Sequence, residues 1–431
     1  IAPVNTVKKT MPNPTYPGPD TIQRHQLPNG IVVLIYENFA SQTVIIDGVL
    51  RVGALNESRA QAGLADFTAS LLLYGTQARD FDSIHEALES VGADLDFTSG
   101  RHATSFSASS LVEDLDLVLE LLAQSLRCPT FPAAEVEEVR GQIITGLHMR
   151  ADDTRQMAGL AFNELLYGDH PYGRSTSGYL DTIPAITRAD LVNFHARHYG
   201  PRGMILTIVG AIKAETALAK IEAVLGDWVN EAQGEETAVS PVPRPTQTIR
   251  THVPMPGKSQ ADILIGLPGP PRNAPDYLDA SLMNTVLGVF GMMGRIGKSV
   301  REEQGLAYYA YSSLQGTLGP TPWLISMGIA PGDVEQAIIT AIGEIARIQN
   351  EPVPADELAD SQAFRTGSLP VSLETNSGLA DVITDMEFYG LGLDYLLRYP
   401  SLINAITPER IEAAAQKYLS TTQLAIAVAG P

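Results

Sequence analysis

The chain carries the same ending twice. Residues 187–199 (TRADLVNFHARHY) have helical spacing and lead into an apolar strand at 204–210 (MILTIVG). Residues 407–418 (TPERIEAAAQKY) have the same spacing and lead into 424–430 (LAIAVAG). Thr187 and Thr407 are separated by the same interval as Gly210 and Gly430. Each threonine suits an N-cap, and each is followed by an acidic residue in the first helical turn, where the helix dipole favours it. Matching ends at one offset predict a tandem duplication of a unit of about 200 residues, which the total of 431 residues accommodates.

The boundary falls at residues 230–248 (NEAQGEETAVSPVPRPTQT), an acidic, proline-bearing stretch with no helical period, which reads as a linker. The first unit then occupies 21–229 and the second 249–431, after a Pro-rich extended arm at 1–20. In the first unit, 31–36 and 43–52 read as strands near the turn Pro28-Asn29-Gly30, and 58–73 and 82–91 as helices. Residues 93–99 and 103–109 alternate as strands do, and 112–126, 132–150 and 155–167 are helical in pattern. Strands and helices come in clusters and not in strict alternation. The pattern predicts α+β units, each a mostly antiparallel sheet packed with helices.

Composition narrows the function classes. The net charge of −20 argues against a nucleic-acid partner, since a basic surface supplies most of that affinity. The single cysteine, Cys128, excludes an internal disulfide framework and a thiolate zinc site, and beside Pro129 it reads as a small buried side chain. No apolar run reaches the ~20 residues of a transmembrane segment. A chain opening on Ile1 implies a removed leader or a trimmed chain, and no signal h-region remains. The compartment is left open, with the bacterial periplasm or export preferred to the cytoplasm for a soluble chain.

Several familiar motifs fail on inspection. Residues 287–299 (LGVFGMMGRIGKS) end in Gly297-Lys298-Ser299, but a phosphate loop needs glycine five positions earlier, where Met292 stands. His195 and His198 share a helix face without an acidic residue between them or a third ligand nearby, so they read as solvated or hydrogen-bonded histidines. His170-Pro171-Tyr172 reads as a helix stop. No Gly-x-Ser-x-Gly elbow occurs.

Residues 63–76 (GLADFTASLLLYGT) are more informative. They resemble the zinc-helix segment of the pitrilysin/insulinase metallopeptidases, whose active members read Gly-Leu-Ala-His-x-x-Glu-His before an apolar stretch ending in Gly-Thr. Two His one helical turn apart hold zinc and the Glu activates water. Here Asp66 stands at the first His, Ala69 at the general base and Ser70 at the second His. The third ligand of active members, a Glu on a later helix, falls on Thr145 or Gly146. The resemblance therefore implies a degenerate zinc motif, with no metal and no cofactor held by this chain.

The resemblance runs from about residue 21 to the end. Leu27-Pro28-Asn29-Gly30 is similar to the family's opening, and the stretch from His170 to Gly210 to the ending of its first domain. Residues 301–308 (REEQGLAY) are similar to its Arg-x-x-x-x-x-x-Tyr element, which follows a Gly-containing loop, here Gly288, Gly291, Gly294 and Gly297. In that processing-peptidase-like family two half-molecules close as a clamshell on a peptide. Zinc sits on one half, and the Arg and Tyr of the other contact the substrate near the scissile bond. The resemblance implies a non-catalytic subunit of a heterodimeric zinc peptidase. Arg301 and Tyr308 would act in trans on an unstructured peptide, and the zinc would lie in a homologous partner subunit. Two alternatives stand beside it: a scaffold subunit of a larger complex, and a self-associating peptide-binding protein without hydrolysis.

Overall fold

The computed structural model describes residues 16–431, so residues 1–15 of the expected arm lie outside the described residues. Two sheets form. The first contains β1 (Ile22–Gln26), β2 (Val32–Glu37), β3 (Thr43–Leu50), β4 (Asp94–Ser99), β5 (Thr104–Leu111) and β6 (Ile205–Gly210), in the order β1-β2-β6-β3-β5-β4. The second contains β7 (Ile249–Pro254), β8 (Ala261–Pro268), β9 (Ala307–Leu314), β10 (Pro322–Ile329) and β11 (Ala425–Gly430), in the order β7-β11-β8-β10-β9.

The two orders superimpose once β1 is set aside. In each sheet one parallel pair, β2 with β6 and β7 with β11, joins a run of antiparallel neighbours. The strands ending at Gly210 and Gly430 hold the same place in their sheets, next to β3 and β8 respectively. The α+β architecture of two related, mostly antiparallel units is therefore present. The preceding helices, Arg188–His198 and Pro408–Tyr418, both start after the threonine expected as N-cap. Thr187 forms a reciprocal box with Asp190, accepting from its N–H at 3.2 Å, whereas Thr407 makes no side-chain cap bond.

Local differences from the sequence expectations have identifiable causes. The Pro28-Asn29-Gly30 turn closes a hairpin between β1 and β2, and β1 (IQRHQ) carries too little apolar alternation to be recognised. The helix expected over 58–73 is shorter: two 3₁₀ turns precede the helix Leu64–Ser70, which gives way to turns at Leu71. Cys128 is half-buried at the end of the helix Leu115–Arg127, where its N–H bonds to the Gln124 carbonyl, and is not a buried core side chain.

Each unit lends a helix to the other. Thr154–Tyr167, from the first unit, packs across β8, β11 and β7 of the second sheet. Asn376–Phe388, from the second unit, packs across β3 and β6 of the first. Phe162 and Tyr167 accordingly share an apolar cluster with Leu264, Ala425 and Ala427. Leu34, Val49, Ile205 and Val209 belong to the second unit's core. The remaining face of the first sheet is covered by its own helices. Residues 229–248 contain no helix or strand, and are tied down on both sides, by Arg51 to Glu236 at 2.6 Å and by Arg244 to the Tyr418 carbonyl at 2.6 Å.

Candidate functional site

The helix Leu64–Ser70 begins where Gly63 adopts φ +95°, a conformation that disfavours a side chain. A Cβ at Gly63 would also lie 2.6 Å from Ile183. Glu57, buried at 6 % exposure, accepts hydrogen bonds from the Gly63 and Ala65 N–H groups at 2.9 and 2.8 Å. It thereby satisfies donors that a helix start leaves unpaired. Burial pushes its carboxyl up to about 7 despite those bonds. Sequence reasoning passed over Glu57; an acidic residue just ahead of an αL glycine was its only signal.

Asp66 is half-buried, and burial pushes its carboxyl up to about 6, opposed by a hydrogen bond from Ser177. Ala69 is buried and offers no donor atom. Ser70 is exposed, and its hydroxyl is taken by the Asp66 carbonyl at 2.9 Å. After Ser70 the helix gives way to short-range bonds from Leu71 and Leu72 to the carbonyls of Thr68 and Ala69.

The helix Ala133–Ala151 packs against this segment, with Arg140 5.3 Å above the Phe67 ring and donating to the Ile183 carbonyl at 2.5 Å. Thr145 and Gly146 are exposed on that helix; the Thr145 hydroxyl is bound to the Gly141 carbonyl at 2.8 Å. A Cβ at Gly146 would meet nothing within 4 Å. The two helices that carry the five positions are in contact, with room for a longer side chain at Gly146.

Zinc sites need three or four nitrogen, sulfur or carboxylate ligands. Of Asp66, Ala69, Ser70, Thr145 and Gly146, only Asp66 supplies one. No cluster of three or more His, Cys, Asp or Glu able to hold a metal occurs among the described residues. The residues do not fit the ion. His195 is engaged elsewhere, at 2.9 Å from the Leu126 carbonyl, and burial lowers its pKa to about 4.

The glycine-bearing loop lies in the second unit. Gly291, Met292, Met293 and Gly294 have φ of +46°, +34°, +81° and +67°, four consecutive residues in a region that side chains disfavour. Three of the four expected glycines are tightly packed. A Cβ at Gly294 would lie 2.6 Å from the Gly288 nitrogen, one at Gly297 2.2 Å from the Met292 carbonyl oxygen, and one at Gly288 2.3 Å from the Ser312 nitrogen. Gly291 faces open space, and Met292 and Met293 are exposed.

A π-helical turn, Gly297–Glu303, follows directly and carries Arg301; such turns recur at functional sites. It is anchored by the buried Arg295, paired through two bonds with Glu357 at 2.9 and 2.5 Å, and by Ser299 bonded to Glu344 at 2.6 Å. The turn packs on β9, which carries Tyr308. Arg301 is half-buried and Tyr308 is 82 % exposed. Among the described residues neither side chain takes part in a hydrogen bond or ion pair. The structure thus brings the glycine loop, Arg301 and Tyr308 into one segment of the second sheet. The degenerate zinc motif belongs to the first, where its helix packs on β4.

Two family domains match the chain, and they meet between residues 178 and 185, inside the first unit. Residues 32–178, which include Asp66–Ser70, Thr145 and Gly146, match the domain described as Insulinase (Peptidase family M16). Residues 185–364, which include the glycine loop, Arg301 and Tyr308, match the Peptidase M16 inactive domain. An uncharacterised zinc protease of Mycobacterium leprae is 27% identical over 95% of this chain and 91% of its own length. One of Streptomyces coelicolor is 26% identical over 96% and 90%. A Pseudomonas fluorescens structure described as a peptidase M16 inactive domain superimposes with a TM-score of 0.88 at 26% identity, covering 95% of this chain and 98% of that one. A Helicobacter pylori protease shares the fold, with a TM-score of 0.89 at 18% identity over 96% and 100% of the two chains. With both domains of the family matched in order over 32–178 and 185–364, and the fold shared over 95% of the chain, the chain belongs to the insulinase family of peptidases, M16.

Proposed function

We propose that this chain is the non-catalytic subunit of a two-subunit zinc metallopeptidase. It pairs with a homologous chain that keeps the zinc ligands, and presents Arg301 and Tyr308 to an unstructured peptide at that partner's zinc. The observation that carries the reading is the state of Tyr308: a large aromatic side chain 82 % exposed, on a strand held by a pinned π-turn, with its hydroxyl unengaged among the described residues. The chemistry suits such a placement. A phenol aimed at a peptide carbonyl stabilises the charge that develops there during hydrolysis. A guanidinium forks onto neighbouring carbonyls or a carboxylate. The relatives named zinc proteases support the peptidase setting, and the missing donors at Ala69, Ser70, Thr145 and Gly146 support a supporting role within it.

Co-expression tests this reading. The chain is produced alone, with a homologous chain bearing the intact zinc motif, and that partner is produced alone. The reading predicts peptide hydrolysis only from the pair, with zinc bound to the partner. Hydrolysis by this chain alone, or full activity of the partner without it, contradicts the reading.

A further inference from the structure

Residues 231–240 of the linker run as a strap along the first unit. Only Gln233 and Val239 of the ten are half-buried, and the rest are exposed. Single polar contacts hold its middle. The Gly234 N–H donates to the Arg197 carbonyl at 3.0 Å, Asn56 donates to the Thr237 hydroxyl at 3.0 Å, and Arg51 pairs with Glu236 at 2.6 Å. Two cavities, of about 510 and 300 Å³, lie against the strap and share Arg51, Asn56 and Glu236 in their walls. The Arg51–Glu236 pair therefore stands between them.

Charge in these walls is divided by origin. The body of the protein supplies Arg51 and His102 to the larger cavity and Arg51, His198 and Arg202 to the smaller. Among the described residues no Asp or Glu from outside the strap lines either one, and both carboxylates present, Glu235 and Glu236, belong to the strap. That is a local reversal of sign in a chain of net charge −20. Arg101 deepens it from behind, since its guanidinium donates to the carbonyls of Pro171 and Arg174 and not to a carboxylate. Burial, aided by the charges of Arg101 and Arg51, lowers the pKa of His102 to about 4. One ring nitrogen of His102 is bound to the Tyr172 hydroxyl at 2.8 Å, and among the described residues the other makes no hydrogen bond. The Glu236 side chain is 56% exposed, and an ion pair so open to water contributes little, so it yields readily to a competitor.

We infer that the strap covers a binding site for a small dicarboxylate, and that Glu236 is the built-in carboxylate that this ligand displaces. One carboxylate of the ligand takes the place of Glu236 on Arg51, whose planar fork matches it. Arg202 shares the wall of the smaller cavity with Arg51 and now donates to the Gln233 carbonyl of the strap. Released from the strap, it meets the second carboxylate. The volume of the two cavities suits a small molecule. Occupancy also reaches the seam between the units, because Arg51 donates to the Phe388 carbonyl at 3.4 Å and lies 5.0 Å from the Phe388 ring, on the helix lent by the second unit. The site is separate from the peptidase role and needs no partner chain.

Calorimetric titration of the whole chain with succinate, and with inorganic phosphate at matched ionic strength, tests this. A site uncovered about a tenth of the time shows about a tenth of its intrinsic affinity. Glu236→Gln, at an exposed position that leaves the fold intact, should therefore bind succinate about tenfold more tightly than the parent. Arg51→Gln should abolish binding, and Arg202→Gln, also at an exposed position, should weaken it. Saturating succinate should speed cleavage of the parent strap after Glu235 by a glutamate-specific endopeptidase. Equal affinity of the parent and Glu236→Gln, or a cleavage rate that succinate leaves unchanged, overturns displacement of the strap. Undiminished binding in either arginine variant overturns the assigned site. Phosphate bound as tightly as succinate overturns the dicarboxylate class, and no succinate binding even by Glu236→Gln overturns the proposal outright.

Discussion

Thr384 donates its hydroxyl to that of Thr207 at 2.8 Å, both side chains buried, across the seam between the two units. Thr384 lies on the helix lent by the second unit and Thr207 on the central strand β6 of the first. Arg24 and Glu387 close the same seam nearer the surface, at 2.7 Å. Removing either hydroxyl takes this bond away, and the Thr384 hydroxyl has Asp47 as its other neighbour. Thr207→Val and Thr384→Val should each cost about 1–2 kcal/mol, and the double variant clearly less than the sum. Urea unfolding of the four proteins in that cycle measures it; strictly additive losses would show that the two hydroxyls are independent.

The same seam sets a pH dependence. Asp47 on β3 faces Asp381 and Asp385 on the lent helix. Burial pushes Asp47 up to about 7, the Thr384 hydroxyl opposes this, and the two neighbouring aspartates add to it. Asp385 is pushed up to about 6 by burial, with Arg272 opposing, and Asp381 is raised by burial as well. A carboxyl with a higher pKa folded than unfolded favours the folded state below its unfolded value, here 3.8, and loses that contribution as pH rises toward about 7. Asp47→Asn keeps the hydrogen-bonding shape without the charge. It should come closest to the parent near pH 4, and its advantage should grow by about 1–2 kcal/mol between pH 5 and pH 8, after allowance for solvent screening. Thermal melts of both proteins from pH 5 to 8 decide the matter; a gap that does not widen with pH excludes the seam carboxyls as its source.

Metal removal should separate the two chains of the proposed enzyme. Asp66 alone is a poor zinc ligand set, so the isolated chain should retain well under one zinc per molecule after dialysis. Its melting temperature should be unmoved by a chelator, whereas the paired enzyme should lose activity. One tightly held zinc per isolated chain, seen by elemental analysis, would mean that ligands outside the degenerate motif exist.

The sequence showed some layers of this molecule more clearly than others. Strand–helix spacing and the repeated endings revealed two related α+β units, because periodicity is a local property. The helix exchange was hidden, since the apolar faces of Thr154–Tyr167 and Asn376–Phe388 show that each helix is partly buried and not which sheet buries it. The family was legible from the residues at 63–76, since residues 32–178 match its Insulinase domain. The early end of the helix at Ser70 was not, because 71–73 are apolar and fit a longer helix in pattern while the backbone there turns more tightly. Arg155, Asp47 and Asp262 gave no sequence signal either: their partners Tyr311, Asp381 and Tyr309 are brought close only by the fold.

The central claim is that Tyr308 serves a zinc site on another chain. It is tested most directly by the turnover of the paired enzyme reconstituted with Tyr308→Phe. Tyr308 is exposed and unpaired among the described residues, so the variant should fold, melt and assemble as the parent does. Loss of a single phenol donor to the developing oxyanion should lower kcat by about a hundredfold or more. A Tyr308→Phe enzyme that turns over at the parental rate would contradict the account.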